Sequence, residues 1–298
     1  MKKLVITLTV FLIFFFLIDK LFYWKIQSLP DSDFDKRLEW ILQGKMNKDI
    51  LLFGSSRAQH NLYSDAIQDS LSMSTFNLGY RGCNINFQLF LLKSVLKHNK
   101  KPKILFLTVD DDKEFFQEKT LQFRYDKLYP LVKHQEITNE LISQHDISPF
   151  AVGLYSARIG WQQFSKPKSP TKFEKWTKTG TVLLDFSAAD FDKKMKPARK
   201  YDANLELPER LQAFKEFQEI CNKENIKLYI LLPPNFIVQS NGFVNRINGL
   251  ISNKKTEFWF NYPSMFKDSQ YFYDPSHLNK KGTILYTNQI IQKIKNNP

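Results

Sequence analysis

Three short blocks hold the residues that could do nucleophilic and acid–base chemistry together. They are Gly54-Ser55-Ser56-Arg57, Asn77-Leu78-Gly79-Tyr80-Arg81-Gly82, and Asp274-Pro275-Ser276-His277-Leu278-Asn279 with Gly282 beyond. Serine is a weak nucleophile until a base takes its proton. His277 is a candidate base for such a serine. Asp274, three residues before it on one loop, could hold its ring so that the other nitrogen faces the serine. Glycine at a strand end lets a backbone N–H approach an oxyanion closely. Each block alone also reads as ordinary structure: a turn and N-cap, a loop, and a capping turn before the last helix.

The elements that must position these blocks alternate. Apolar runs at 49–53, 75–78, 103–109, 226–232 and 256–262 read as strands, and the first three end at or next to a polar or glycine-bearing block. Helical spacing is predicted over 56–69, 86–98, 212–225 and 283–294, with shorter patterns at 35–42 and 136–142. Strands alternating with helices indicate an α/β sandwich around a parallel sheet, with its site at the C-terminal strand ends. Residues 26–47 read as a stalk and 48–298 as the α/β domain. About a hundred residues between the third strand and the helix at 212 exceed what a crossover needs, so residues 113–205 read as an inserted cap.

The joint order of the three blocks resembles the SGNH (GDSL-type) hydrolase superfamily over residues 49–112 and 226–295. The resemblance implies a three-layer, flavodoxin-like α/β/α fold. It maps the nucleophile to Ser56 and the base and its orienting acid to His277 and Asp274. It places Gly82 at an oxyanion N–H, with Asn77 and Gly79 upstream. The family's third block usually ends Gly-x-Asn-Asp, whereas this chain has Leu107-Thr108-Val109-Asp110-Asp111. Asp110 falls where an asparagine would donate, and an ionised carboxylate cannot donate. Another donor such as Arg57, Arg81 or Asn84 could substitute, or Asp110 could be protonated or displaced from the site.

Residues 1–25 read as a signal anchor. Lys2 and Lys3 precede a mostly apolar run, interrupted by Asp19 and Lys20 and closed by Tyr23 and Trp24. At 1.5 Å per residue the run from Leu4 to Trp24 spans about 30 Å, the thickness of a bilayer core. The chain has no alanine before Ala58, which disfavours a cleaved signal peptide over an uncleaved anchor. The positive-inside rule then puts the C-terminal domain outside the cytoplasmic membrane.

That placement bears on the charge. With 43 basic and 30 acidic side chains the formal charge is +13, which on its own suggests nucleic acid. For an exported domain, anionic lipid or an anionic envelope polymer is the better counterpart, and a solubilising surface the plainer one. Nucleic acid is not expected as a partner unless the N-terminal segment is a core helix. The anchor and the Gly-Ser-Ser block together resemble the DltD-like and polysaccharide O-acetylation subgroup. That likeness implies an esterase or O-acyltransferase acting on acyl, especially acetyl, esters of envelope glycans. A membrane-bound O-acyltransferase is the implied partner. A non-catalytic scaffold of the same fold, binding a glycan or such a partner, is the alternative.

Two cysteines, Cys83 and Cys221, exclude a disulfide framework and are read as structural thiols. His98, His134 and His145 lack partners at metal spacing, so neither metal nor cofactor is expected. His60, one turn after Ser56, is read as a helix-surface histidine, with a rival base as its other reading. The lysine-dense run over 166–200 reads as a binding or solvated cap face.

Overall fold

Continuous apolar runs can be strands only if both faces are covered, and this chain covers them. The computed structural model describes residues 1–28, 34–158, 175–185, 194–198, 200–251 and 255–296. Most of the lysine-dense run and part of the cap lie outside them. Two compact units are formed, residues 1–39 with 124–170, and residues 40–123 with 171–298.

The larger unit is built on a five-stranded parallel sheet. In chain order its elements, with the short α2 (Arg37–Leu42) leading in, are β1 (Ile50–Phe53), α3 (Ser56–Asn61), α4 (Ser64–Leu71), β2 (Thr75–Asn77), α5 (Ile85–His98) and β3 (Ile104–Thr108). After the smaller unit's helices α6 (Tyr125–Leu128) and α7 (Gln135–Ser143) come α8 (Pro208–Lys223), β4 (Lys227–Leu231), α9 (Asn241–Leu250), β5 (Thr256–Trp259), the hairpin β6 (Phe272–Asp274) and β7 (His277–Leu278), and α10 (Lys280–Asn296). Strand order is β2-β1-β3-β4-β5, so the direction of winding reverses between β1 and β3.

Alternate residues of each strand serve opposite faces. Ile50 and Leu52 join Phe106, Tyr229, Leu231 and Trp259 in a core shared with Tyr286, Ile290 and Ile291 of α10. Phe53 turns the other way and meets Phe217 of α8 edge-on at 5.6 Å. Three layers result, as the alternation predicts.

Two helices depart from the sequence reading. The single helix expected over 56–69 breaks into α3 and α4 at Leu62, which is extended. The Leu62 carbonyl there accepts the Thr181 hydroxyl at 2.8 Å. Helix α9 was not anticipated. Its Asn and Gly residues are poor helix formers, but Ser240 caps it and Phe243, Val244, Ile247 and Leu250 are buried. In the smaller unit, α1 (Lys2–Ser28) is long and apolar enough to cross a membrane.

Candidate active site

Ser56 owes its position to the residues before it. Gly54 leaves β1 with φ of +146°, and a Cβ there would lie 1.9 Å from Thr108 Oγ1, so only glycine passes so close to β3. Ser55 Oγ accepts the N–H of Arg57 at 3.2 Å and caps α3. Ser56 is the first residue of that helix, where the N–H has no partner within the helix.

His277 and Asp274 face each other across the β6–β7 turn. His277 Nε2 lies 2.7 Å from Ser56 Oγ, and Nδ1 lies 2.9 Å from both Asp274 oxygens. Asp274 Oδ1 also accepts the N–H groups of Ser276 and His277, at 2.8 and 2.9 Å. Burial pushes this carboxyl up, but the hydrogen bonds and charge of His277 outweigh it and hold the group below the usual carboxylate range. Ionised Asp274 can only accept, so Nδ1 carries the imidazole proton and Nε2 accepts from the serine hydroxyl. The Asn61 side chain fixes the hairpin to the end of α3, accepting the N–H of Leu278 at 2.9 Å. Thr283 of α10 donates to the carbonyl of His60 at 2.8 Å.

Asp110 follows β3, beside β1 at the winding switch. It is buried, and its N–H donates to Glu114 Oε2 at 2.6 Å. Both carboxyls are raised. Burial is the largest cause for each; Glu114 is pushed up to about 8, with the charge of Asp110 as the next cause. Arg57 opposes the shift of Asp110, its Nε 3.9 Å from Asp110 Oδ1 and without a hydrogen bond of its own. The rest of that guanidinium donates to the carbonyls of Val109, at 3.4 Å, and Pro233. Arg57 thus joins the chain segments that leave β1, β3 and β4.

Ser56, Arg57, Asp110 and His277 line one cavity of about 330 Å³, together with Lys113, Asn235 and Tyr262 among others. Asn77 and Gly82 are not in its lining. The Asn77 amide donates to the carbonyls of Ala58 and Leu62 at 2.8 and 3.2 Å, and its Oδ1 accepts the N–H of Gly79 at 2.9 Å. Its side chain is thereby spent on holding α3 to β2. Gly82 has φ of +66° and its carbonyl accepts the N–H of Gln122 at 2.8 Å.

His60 corrects the sequence reading: it is 2% exposed, not on a helix surface. Its Nδ1 donates to the Val182 carbonyl at 2.9 Å, and burial and the neighbouring His277 push it down to about 3, leaving the ring neutral. Packing of residues 179–182 against α3 causes the difference, and no local spacing signals it. Cys83 is buried, its thiol 3.3 Å from the Gly54 carbonyl. Glu114 and Asn235 were missed. Glu114 stands four residues after Asp110, a spacing that signals contact only if the chain turns there. The Asn235 amide donates to Asp111 Oδ2 at 2.9 Å, while its buried Oδ1 has no partner.

No protein-family model matches the sequence, and no curated protein matches it. Among solved structures, the chain is similar to a carbohydrate esterase whose active site is described as displaying divergent catalytic and non-catalytic binding functions. That match has a TM-score of 0.39 and 8% identity, and covers 83% of this chain and 64% of the other. It is also similar to the acetyl xylan esterase Est2A from the rumen bacterium Butyrivibrio proteoclasticus, with a TM-score of 0.36 and 8% identity, covering 83% and 63%. The chain therefore spans less than two thirds of either protein.

Proposed function

We propose that this chain is a membrane-anchored, extracytoplasmic SGNH-type serine esterase or O-acyltransferase. Its substrates are acyl esters, chiefly acetyl, of a cell-envelope polysaccharide. The observation that carries the reading is the continuous hydrogen-bonded chain from Ser56 through His277 to Asp274 at a cavity wall.

Ser56 Oγ attacks the ester carbonyl and its proton passes to His277 Nε2. Asp274, ionised, stabilises the imidazolium and holds the ring. As the tetrahedral intermediate collapses, His277 gives the proton to the departing sugar hydroxyl and leaves an acyl-Ser56. Water or an acceptor hydroxyl then attacks, with His277 as base again, so hydrolysis and transfer share one first half. The N–H of Ser56 at the start of α3 is the backbone donor to the oxyanion. Asp110, whose carboxyl burial pushes upward, stands in the place of the family's asparagine, and in its protonated form it has an O–H to donate. Arg57 orders the strand ends around them. A cavity of this size lies at the small end of ligand sites, which suits a short acyl group and part of a sugar. The apolar α1 supports the anchor, and a membrane-bound O-acyltransferase is the proposed acyl supplier.

Treating the full chain in detergent with a fluorophosphonate should label Ser56. Ser56→Ala should abolish labelling and cut aryl-acetate hydrolysis by at least about a thousandfold. A folded protein that takes no label would instead support the scaffold reading, which the acidic residue at 110 favours.

A further inference from the structure

The smaller unit presents apolar side chains that its own packing does not use. Residues Pro149–Val152 form a single 3₁₀ turn on which Phe150 is 75% and Val152 57% exposed, while Ala151 between them is buried. The turn is braced at both ends. Ser148 Oγ accepts the N–H of Phe150 at 3.3 Å. The buried Arg158 donates to the carbonyls of Ala151 and Val152, at 2.8 and 3.1 Å, and to Gln135 Oε1 at 2.7 Å. Two exposed apolar groups on a braced turn cannot fold inward to escape water.

The same segment is fastened to α1. Asp19 accepts the N–H of Tyr155 at 3.1 Å, and the N–H and hydroxyl of Ser156 at 2.8 Å each. The rings of Tyr23 and Tyr155 meet at 4.8 Å. A carboxylate within hydrocarbon is costly, and α1 carries Asp19, with Lys20 beside it, at the end of its longest apolar run. With three donors from one loop, Asp19 is fully hydrogen-bonded near one end of the apolar span. From Leu4 to Ile18 the exposed apolar stretch is about 22 Å long, short of a bilayer core of about 30 Å. The remainder falls at the level of Leu21, Tyr23 and Trp24, where the loop docks.

We propose that the Pro149–Val152 turn is a second membrane contact, with Phe150 and Val152 seated in the interfacial layer of the bilayer that α1 crosses. This rests on the reading of α1 as a membrane span. Because both contacts sit on one unit, the turn stops α1 from sliding or rotating freely in the lipid.

The test uses the full chain in vesicles of phosphatidylethanolamine and phosphatidylglycerol. Val152→Cys and, as a control, the exposed Glu219→Cys each carry an environment-sensitive fluorophore. Cys83 and Cys221 are buried, so labelling is selective. The label at 152 should brighten several-fold, shift to the blue and be quenched by spin-labelled lipid, while the label at 219 reports water. Both labels reporting water, in a chain that resists alkaline carbonate extraction, would overturn the proposal and leave the anchor standing. Extraction of the chain by carbonate would overturn both. Shielding of position 152 only with a co-purified membrane protein would assign the face to that protein and overturn the lipid assignment.

Discussion

Asp274 and Asp110 are the same side chain in two surroundings of one site. The hairpin around Asp274 supplies donors from within three residues, two backbone N–H groups and an imidazole, and the carboxyl is held low. The turn after β3 buries Asp110, and burial outweighs the nearby Arg57 and a hydrogen bond with Ser55, so the carboxyl is raised. Donors and burial, not residue type, assign the charge. On the proposed mechanism, one aspartate then stabilises a cation and the other, when protonated, offers a proton.

The sharpest way to break this contrast is to make the same substitution at both positions. Asp274→Asn should lower kcat for an aryl acetate by about a thousandfold or more, because the amide favours the wrong imidazole tautomer. Asp110→Asn should change kcat by less than about tenfold at neutral pH, since an amide donates as a protonated carboxyl does. A reversed order would exchange the two roles.

Next in size is Asp110→Leu, which removes the donor and should cost about a hundredfold in kcat/KM. The pH profile sharpens the point. A raised carboxyl is neutral on the acid side and ionises as pH rises, so the unmodified chain should lose kcat/KM on the alkaline side. Asp110→Asn should flatten that limb, and a limb unchanged by the substitution would belong to another group.

The smallest expected effect is on stability. Glu114 is raised from 4.5 to about 8, so between those values the folded chain keeps a proton that the unfolded chain has lost. Stability must then fall as pH rises through that window. Glu114→Gln should remove the slope, stabilising the fold at pH 8 with little change at pH 4. Chemical denaturation at the two pH values measures it.

What was legible in the sequence was local. Gly54-Ser55-Ser56 announces a turn and a helix start. Asp274 and His277 lie near enough in the chain to be read as a pair, and the apolar runs give the sheet. What was not legible depends on contacts between distant segments. His60 is on a helix in either reading, but contacts with distant residues, Val182 and His277, go with its burial. Asn77 looks like a site residue by its place in the block, and its amide is consumed in joining α3 to β2. Helix α9 runs against its own propensities and exists because four of its side chains find a core.

Ser56 and His277 are 221 residues apart. At about ten residues per second, a ribosome needs roughly twenty seconds to make what separates them. During that interval the serine exists without its base. A nascent or truncated chain therefore carries an ordinary alcohol at Ser56, and its pairing with His277 waits on the last helix and hairpin to close the site. The cost is kinetic, since a long-range closure of this kind comes late in folding.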